Sequence, residues 1–236
     1  MLLKFLGRGS AFSDEHNCAF FSEGRELVLI DHSLTAFNRL KNAGVHALTG
    51  TESADRIYVI ITHTHSDHIC GIPLLIEYAY YIRKLPVTVA AASERVAENM
   101  RYYLDEIEGC EKGTYELVPA ESLKWVSAVI PTEHTPTLSG KCFGYALDIG
   151  GRKVVYTGDT VTLEPFLPYI GADTELYTEI AAVRSGVHLY LDDNIQKLKE
   201  LSAAGTKIAL MHLDDERKIS EAIEGTGITL AELWNG

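Results

Sequence analysis

The hydrophobic pattern of this chain changes period several times, and each change predicts an element. Short apolar runs at 2–6, 17–22 and 26–30 read as strands, the last two joined by a turn at Glu23-Gly24, so the chain opens with a β-meander. Residues 57–61, Ile-Tyr-Val-Ile-Ile, are an unbroken β-branched and aromatic run, the signature of a strand buried on both faces. Helical spacing takes over at 35–43 and at 72–84, where Leu75, Ile76, Ala79, Tyr80 and Arg83 recur at helical intervals and Pro73 falls in the first turn. A strand at 87–92 and a helix capped by Ser93 and running to about Ile107 follow.

From Thr114 the pattern starts again. Strands at 114–118, 125–131, 141–149 and 152–157, with Asp148-Ile-Gly-Gly as a hairpin turn, read as a second meander. A short helix at 163–170 broken by Pro165 and Pro168, a strand at 175–181, a helix at 192–204, a strand at 206–211 and a helix at 218–224 complete the series. Two meanders, each followed by alternating strands and helices, predict an α+β fold of αββα type: a four-layer sandwich of two mixed β-sheets flanked by helices. No Pro/Ser-rich linker or charge block divides the chain, so 1–236 is expected to be a single domain with internal halves of about 1–112 and 113–236.

The strand at 57–61 runs into His63-Thr-His65-Ser-Asp67-His68, four potential metal ligands in six positions, holding three of the nine histidines in the chain. In a sharp turn, three imidazoles and a carboxylate converge on a small volume, a donor set that suits Zn²⁺ and also accepts Mn²⁺ or Fe²⁺. This stretch resembles the signature of the metallo-β-lactamase superfamily, with all four motif positions matched. The resemblance implies a metallo-β-lactamase-like sandwich and three further ligands, for which the chain offers His134 in Pro-Thr-Glu-His-Thr-Pro, Asp159 in Thr-Gly-Asp-Thr and His212 in Leu-Met-His-Leu-Asp-Asp. It further implies two divalent metal ions, one on His63, His65 and His134, the other on Asp67, His68 and His212, with Asp159 and a hydroxide bridging. Asp31 follows the third strand, where superfamily members often keep an acid that bonds a metal-bound imidazole; an N-cap for the helix at 35–43 is the other reading. His46 reads as structural and His16 as a surface or locally bonded residue, in a loop at 11–17 placed to line a cleft mouth.

Charge narrows the substrate. A net charge of −12 disfavours a long nucleic acid, because phosphate binding draws on Lys and Arg, whereas two divalent ions leave the centre locally positive and open to a small anionic substrate. No apolar run approaches the roughly 20 residues of a membrane span. Cys18, Cys70, Cys110 and Cys142 lack metal-ligand spacing and nothing reads as a secretory signal, so reduced thiols and a cytoplasmic setting are expected.

Two metals and a hydroxide attack phosphoesters, thioesters or lactones alike, so other residues must choose. His188, in Val183-Arg-Ser-Gly-Val-His188 and shortly after Thr178-Glu179, resembles the histidine of the phosphodiesterase branch that includes ribonuclease Z and the small cyclic phosphodiesterases. That resemblance implies a phosphate ligand or proton donor to the leaving group, oriented by Glu179, although Leu189-Tyr190 departs from the branch pattern. Asp67, His188 and Glu179 are the catalytic candidates. Ribonuclease Z itself fits less well, since 25 positions from His134 to Asp159 leave room only for a hairpin and not for a tRNA-gripping arm. The expectation is therefore a dinuclear phosphodiesterase for a cyclic nucleotide or cyclic phosphate, with a lactone or thioester hydrolase as the alternative, and a homodimer using the Tyr-rich helix at 72–84.

Overall fold

The computed structural model describes residues 1–235. Strands β1 (Lys4–Gly7), β2 (Cys18–Glu23) and β3 (Glu26–Ile30) form the expected antiparallel meander. Helices α1 (Leu34–Ala43) and α2 (Val45–Thr49) then return the chain so that β4 (Arg56–Ile61) lies parallel to β3. A single turn α3 (Ser66–Ile69), helix α4 (Ile72–Glu77) and its wider π-helical continuation Tyr78–Arg83 lead to β5 (Val87–Ala91), and α5 (Glu94–Arg101), continued likewise by Tyr102–Ile107, leads to β6 (Tyr115–Pro119). β4, β5 and β6 are parallel, so the strand expected to open the second meander instead closes the first sheet. The halves therefore divide between Pro119 and Val126 rather than at 112/113. The local pattern of a strand carries no information on which sheet it joins.

The second sheet repeats the plan. β7 (Val126–Pro131), β8 (Phe143–Ile149) and β9 (Arg152–Tyr156) are an antiparallel meander, and β10 (Glu175–Glu179), β11 (Lys207–Met211) and a two-residue β12 (Thr229–Leu230) add in parallel, with α6 (Leu191–Ala203) and α7 (Glu216–Ile223) as the connecting helices. The segment with Pro165 and Pro168 is a 3₁₀ turn at Glu164–Tyr169. The helices α2, which carries His46, and the strand β12 were not legible in the pattern because both are very short.

Strand alternation builds the layers. In β9 to β11, Tyr156, Tyr177 and Met211 point to the interior shared with the first sheet, while Val155, Leu176 and Leu210 point away and pack under Leu198 of α6 and Ile219 of α7. The first sheet is covered on its outer side by Phe37 and Leu40 of α1, Leu75 and Ile76 of α4 and Met100 of α5. The result is the four-layer sandwich with two mixed sheets. Among the described residues, no helix is long and apolar enough to cross a membrane, and all four cysteines are unpaired.

One close approach fixes the first half's loops on one another. Gly71 donates its N–H to the His32 carbonyl at 3.0 Å, His32 donates to the His68 carbonyl at 2.6 Å, and a Cβ on Gly71 would lie inside the Ser33 carbonyl. Gly71→Ala is expected to force these backbones apart and to destabilise the protein by about 1–3 kcal/mol, the usual cost of overpacking. A urea unfolding curve tests this, with the midpoint falling and the slope unchanged; an unchanged midpoint would show that the approach is not tight.

Candidate metal centre

The seven expected ligands come from four strand ends, those of β4, β7, β9 and β11, and meet. His63 follows β4, His65 and Asp67 flank the start of α3, His68 lies within α3, His134 follows β7, Asp159 follows β9 and His212 follows β11. His63, His65 and His134 form one group with ligand atoms within 4.8 Å of one another, and Asp67, His68 and His212 form another. Asp159 stands between them: its Oδ1 is 3.4 Å from His68 Nε2, and its Oδ2 is 3.8 Å from His63 Nε2, 3.7 Å from His134 Nε2 and 3.4 Å from His212 Nε2. Gly158, with φ +60°, makes this turn possible, since a Cβ there would crowd the Phe143 carbonyl and Thr62.

Hydrogen bonds behind the donors decide which nitrogen each ring presents. Asp31, in the left-handed region at φ +59°, accepts the Thr62 N–H and the Thr62 hydroxyl, each at 2.8 Å, and bonds His68 Nδ1 at 2.8 Å. Its carboxylate therefore aims His68 Nε2 inward, and Ser33 is the N-cap of α1, which settles the two readings of Asp31. The Thr62 hydroxyl, spent as donor on Asp31, accepts from His63 Nδ1 at 3.1 Å. His134 Nδ1 donates to the Val187 carbonyl at 2.6 Å. His63 and His134 are thus left with Nε2, and His65 faces both with Nδ1, at 3.0 and 3.3 Å.

The electrostatics match a cation site. Burial, with help from neighbouring imidazoles, pushes His63 and His65 down, and burial carries His134 to about 4, so these rings keep their lone pairs at neutral pH. Burial alone would raise Asp67 and Asp159, but His212 and His68 outweigh it and hold both carboxylates well below their usual range. Burial likewise opposes a charge on His68, yet Asp159 and Asp31 raise it, so positive charge is favoured at this point. His68 Nε2 and Asp159 Oδ1 are buried and have no hydrogen-bond partner, although they face each other. Buried polar atoms left unpaired in this way are satisfied by an ion placed between them. Imidazole nitrogens and carboxylate oxygens in these two groups fit divalent metal ions.

His188 and Glu179 border the same volume. Glu179 ends β10 fully buried; its Oε1 accepts the Thr160 N–H, next to Asp159, and its Oε2 accepts from His188 Nδ1 at 2.7 Å while lying 3.9 Å from His212 Nδ1. Burial and the charge of Asp159 raise the Glu179 carboxyl. Burial would lower His188, but the bond to Glu179, that group's charge and Asp159 prevail and lift it to about 9. The His188 side chain is 22% exposed, its Nδ1 is 3.9 Å from Asp159, and it lines a cavity of about 430 Å³ with His212 and residues of the 10–13 loop. The 11–17 loop therefore does line the mouth. His16 sits apart from the donor groups, its backbone N–H bonded to Thr35.

Three contributors carried no signal in the sequence. Thr62 is an ordinary strand-end residue, the Val187 carbonyl is backbone, and Asp214 acts through space, its carboxylate accepting the Ala182 and Val183 amides at 2.7 and 2.9 Å and so fixing the start of the His188 loop. Asp31→Ala is expected to weaken divalent-metal affinity roughly 10–100-fold, the usual effect of removing a carboxylate behind a ligating imidazole. Competition for Zn²⁺ against a chromophoric chelator measures this, and affinity equal to wild type would exclude Asp31 from the centre.

Comparison with known proteins gives the chain a family and a fold. A family model described as "Anti-Pycsar protein Apyc1" matches residues 1–232. The chain is 30% identical to the anti-Pycsar protein Apyc1 of Bacillus phage 010DV004, over 91% of this chain and 90% of that one. A UPF0173 metal-dependent hydrolase of Thermus thermophilus is 26% identical over 61% of this chain and 58% of its own. Among solved structures, the metallo-β-lactamase fold protein YhfI from Bacillus subtilis superposes with a TM-score of 0.73 at 18% identity, covering 99% of this chain and 96% of that one. The protein has the metallo-β-lactamase fold and, on the near full-length family match, belongs to the anti-Pycsar protein Apyc1 family.

Proposed function

We propose that this metal-dependent hydrolase is a phosphodiesterase with two metal ions, acting on a small phosphodiester such as a cyclic nucleotide or cyclic phosphate. Of the seven candidate ligands, His63, His65 and His134 would hold one ion and Asp67, His68 and His212 the other, with Asp159 shared, and Zn²⁺ suits the nitrogen-rich set. Such ions polarise a phosphoryl oxygen and lower the pKa of water.

The observation that carries the reading is the placement of His188. Cleavage of an alkyl phosphodiester releases an alkoxide, which departs readily only if it receives a proton. His188 borders the donor groups, with ring centroids 4.9 Å from His134 and 5.2 Å from His212, and opens onto the cavity. Its Nδ1 is committed to Glu179 at 2.7 Å, which leaves Nε2 to serve a substrate oxygen. Glu179 acts on the reaction through this ring, by fixing its orientation and favouring its protonated form. Asp67 is assigned to the ion pair it helps bind, and its carboxylate is already engaged with His68 at 3.2 Å and His212 at 3.3 Å. Membership of the anti-Pycsar family is compatible with a cyclic-nucleotide substrate.

The test is a panel of bis-p-nitrophenyl phosphate, 2′,3′- and 3′,5′-cyclic nucleotides, an acyl thioester and a homoserine lactone, with Zn²⁺ and with Mn²⁺. Elemental analysis is expected to find two metals per chain, and one metal under metal excess would refute the dinuclear assignment. Faster turnover of the lactone or thioester than of any phosphodiester would overturn the substrate class. His188→Ala is expected to keep both metals and to slow cyclic-nucleotide hydrolysis roughly 10²- to 10⁴-fold, the usual worth of a general acid. Bis-p-nitrophenyl phosphate should suffer far less, because nitrophenolate leaves without a proton. Equal rates for variant and wild type on every phosphodiester would remove His188 from the reaction.

A further inference from the structure

The cavity beside His188 has a second feature that proton transfer does not explain. Phe12 is fully exposed, and Val183 is 65% exposed, and both line the cavity that His188 and His212 also line. A single exposed apolar side chain is ordinary, but Phe12 and Val183 line one cavity together with two histidines of the site, and an apolar patch in that position can be buried by a bound ligand.

The loop is held. Ser10 donates its N–H to the Leu213 carbonyl at 2.9 Å, Leu213 donates to the Arg8 carbonyl at 2.8 Å, and the Ser13 N–H closes a turn onto the Ser10 carbonyl at 3.0 Å. The Ser13 hydroxyl adds a bond to the Leu213 carbonyl at 3.3 Å. Leu213 directly follows His212, so Phe12 is fixed in register with a candidate metal ligand. Val183 is anchored to the next residue, its N–H donating to Asp214 at 2.9 Å.

The cavity lining between these two side chains offers few groups for reading the edge of a base. The Asp214 carboxylate takes the Ala182 and Val183 amides and the Ser13 hydroxyl donates to Leu213, which leaves the Ser10 hydroxyl and the O–H of Ser185, an acceptor from Val187 N–H at 3.3 Å, as the small polar groups of this lining. Apart from these hydroxyls, the lining around Phe12 and Val183 is an aromatic face with apolar flanks, in a cavity of about 430 Å³, a volume suited to a small ligand. We infer that Phe12 is a substrate-contacting residue that stacks on the nucleobase of a nucleotide whose phosphodiester lies at His188, with Val183 flanking it. Every nucleobase presents a π-face, and stacking on an aromatic side chain is a strong sequence-tolerant contact. This inference rests on the phosphodiesterase reading and adds to it that the substrate carries a base.

The experiment compares adenosine 3′,5′-cyclic monophosphate with its abasic analogue, 1-deoxyribose 3′,5′-cyclic phosphate, on the full chain loaded with Zn²⁺. Phe12→Ala is expected to raise KM for the nucleotide roughly 5- to 100-fold with kcat changed less than twofold. The abasic substrate should show the same KM for variant and wild type, and Phe12→Trp should restore the nucleotide KM. Phe12 is fully exposed, so its removal takes no buried contact from the fold, and unchanged abasic turnover checks this directly. Equal nucleotide KM in wild type and Phe12→Ala, or an equal rise on both substrates, overturns the inference while leaving the phosphodiesterase reading intact. If wild type hydrolyses neither substrate nor any other phosphodiester, that reading falls and this one with it.

Discussion

The carboxylate of Asp31 is the constraint on which the first half of the site depends. It sits at the end of β3, takes the backbone N–H and hydroxyl of Thr62 at the end of β4, and bonds His68 in α3. One buried side chain thus joins three elements, with both oxygens engaged, as a buried charge requires. The left-handed backbone at Asp31 costs some strain, which aspartate tolerates better than most residues. Without that bend the carboxylate would not reach across to both neighbours.

The second half solves the same problem with a different residue. Glu179 ends β10, takes the amide of Thr160 after the adjacent strand β9, and bonds the ring of His188. The correspondence follows from the duplicated plan of an antiparallel meander extended by parallel strands. Parallel neighbours bring their carboxyl ends side by side, and an acid at one end finds a free amide at the next. The difference lies in what each acid holds. Asp31 orients a ring inside the donor groups, whereas Glu179 orients one at their border, where a substrate can reach it.

Legibility in the sequence followed distance along the chain. Most strands and long helices were readable because period-2 and period-3.6 patterns are local. His63, His65, Asp67 and His68 were readable as a cluster because they are adjacent, and His134, Asp159 and His212 only through resemblance, since nothing local ties them to the cluster. The assignment of β6 to the first sheet was not readable, because its pairing with β5 depends on the path of α5 and not on its own residues. Thr62, Val187 and Asp214 act by position alone. The two readings of Asp31 could be separated only when the structure showed Ser33 accepting the Ala36 amide, the bond an N-cap must accept.

His212, like Asp31, is a non-glycine residue in the left-handed region, at φ +52°. Its bend sends Leu213 and Asp214 out of the sheet, and from these two residues hang both walls of the cavity, the 10–13 loop and the start of the His188 loop. The candidate donor and the cavity walls are therefore attached to one short segment. The ring that faces Asp67 and Asp159 and the backbone that carries both walls leave the sheet at the same residue. A substitution that alters the backbone at 212–214 would therefore displace the candidate donor and both cavity walls together.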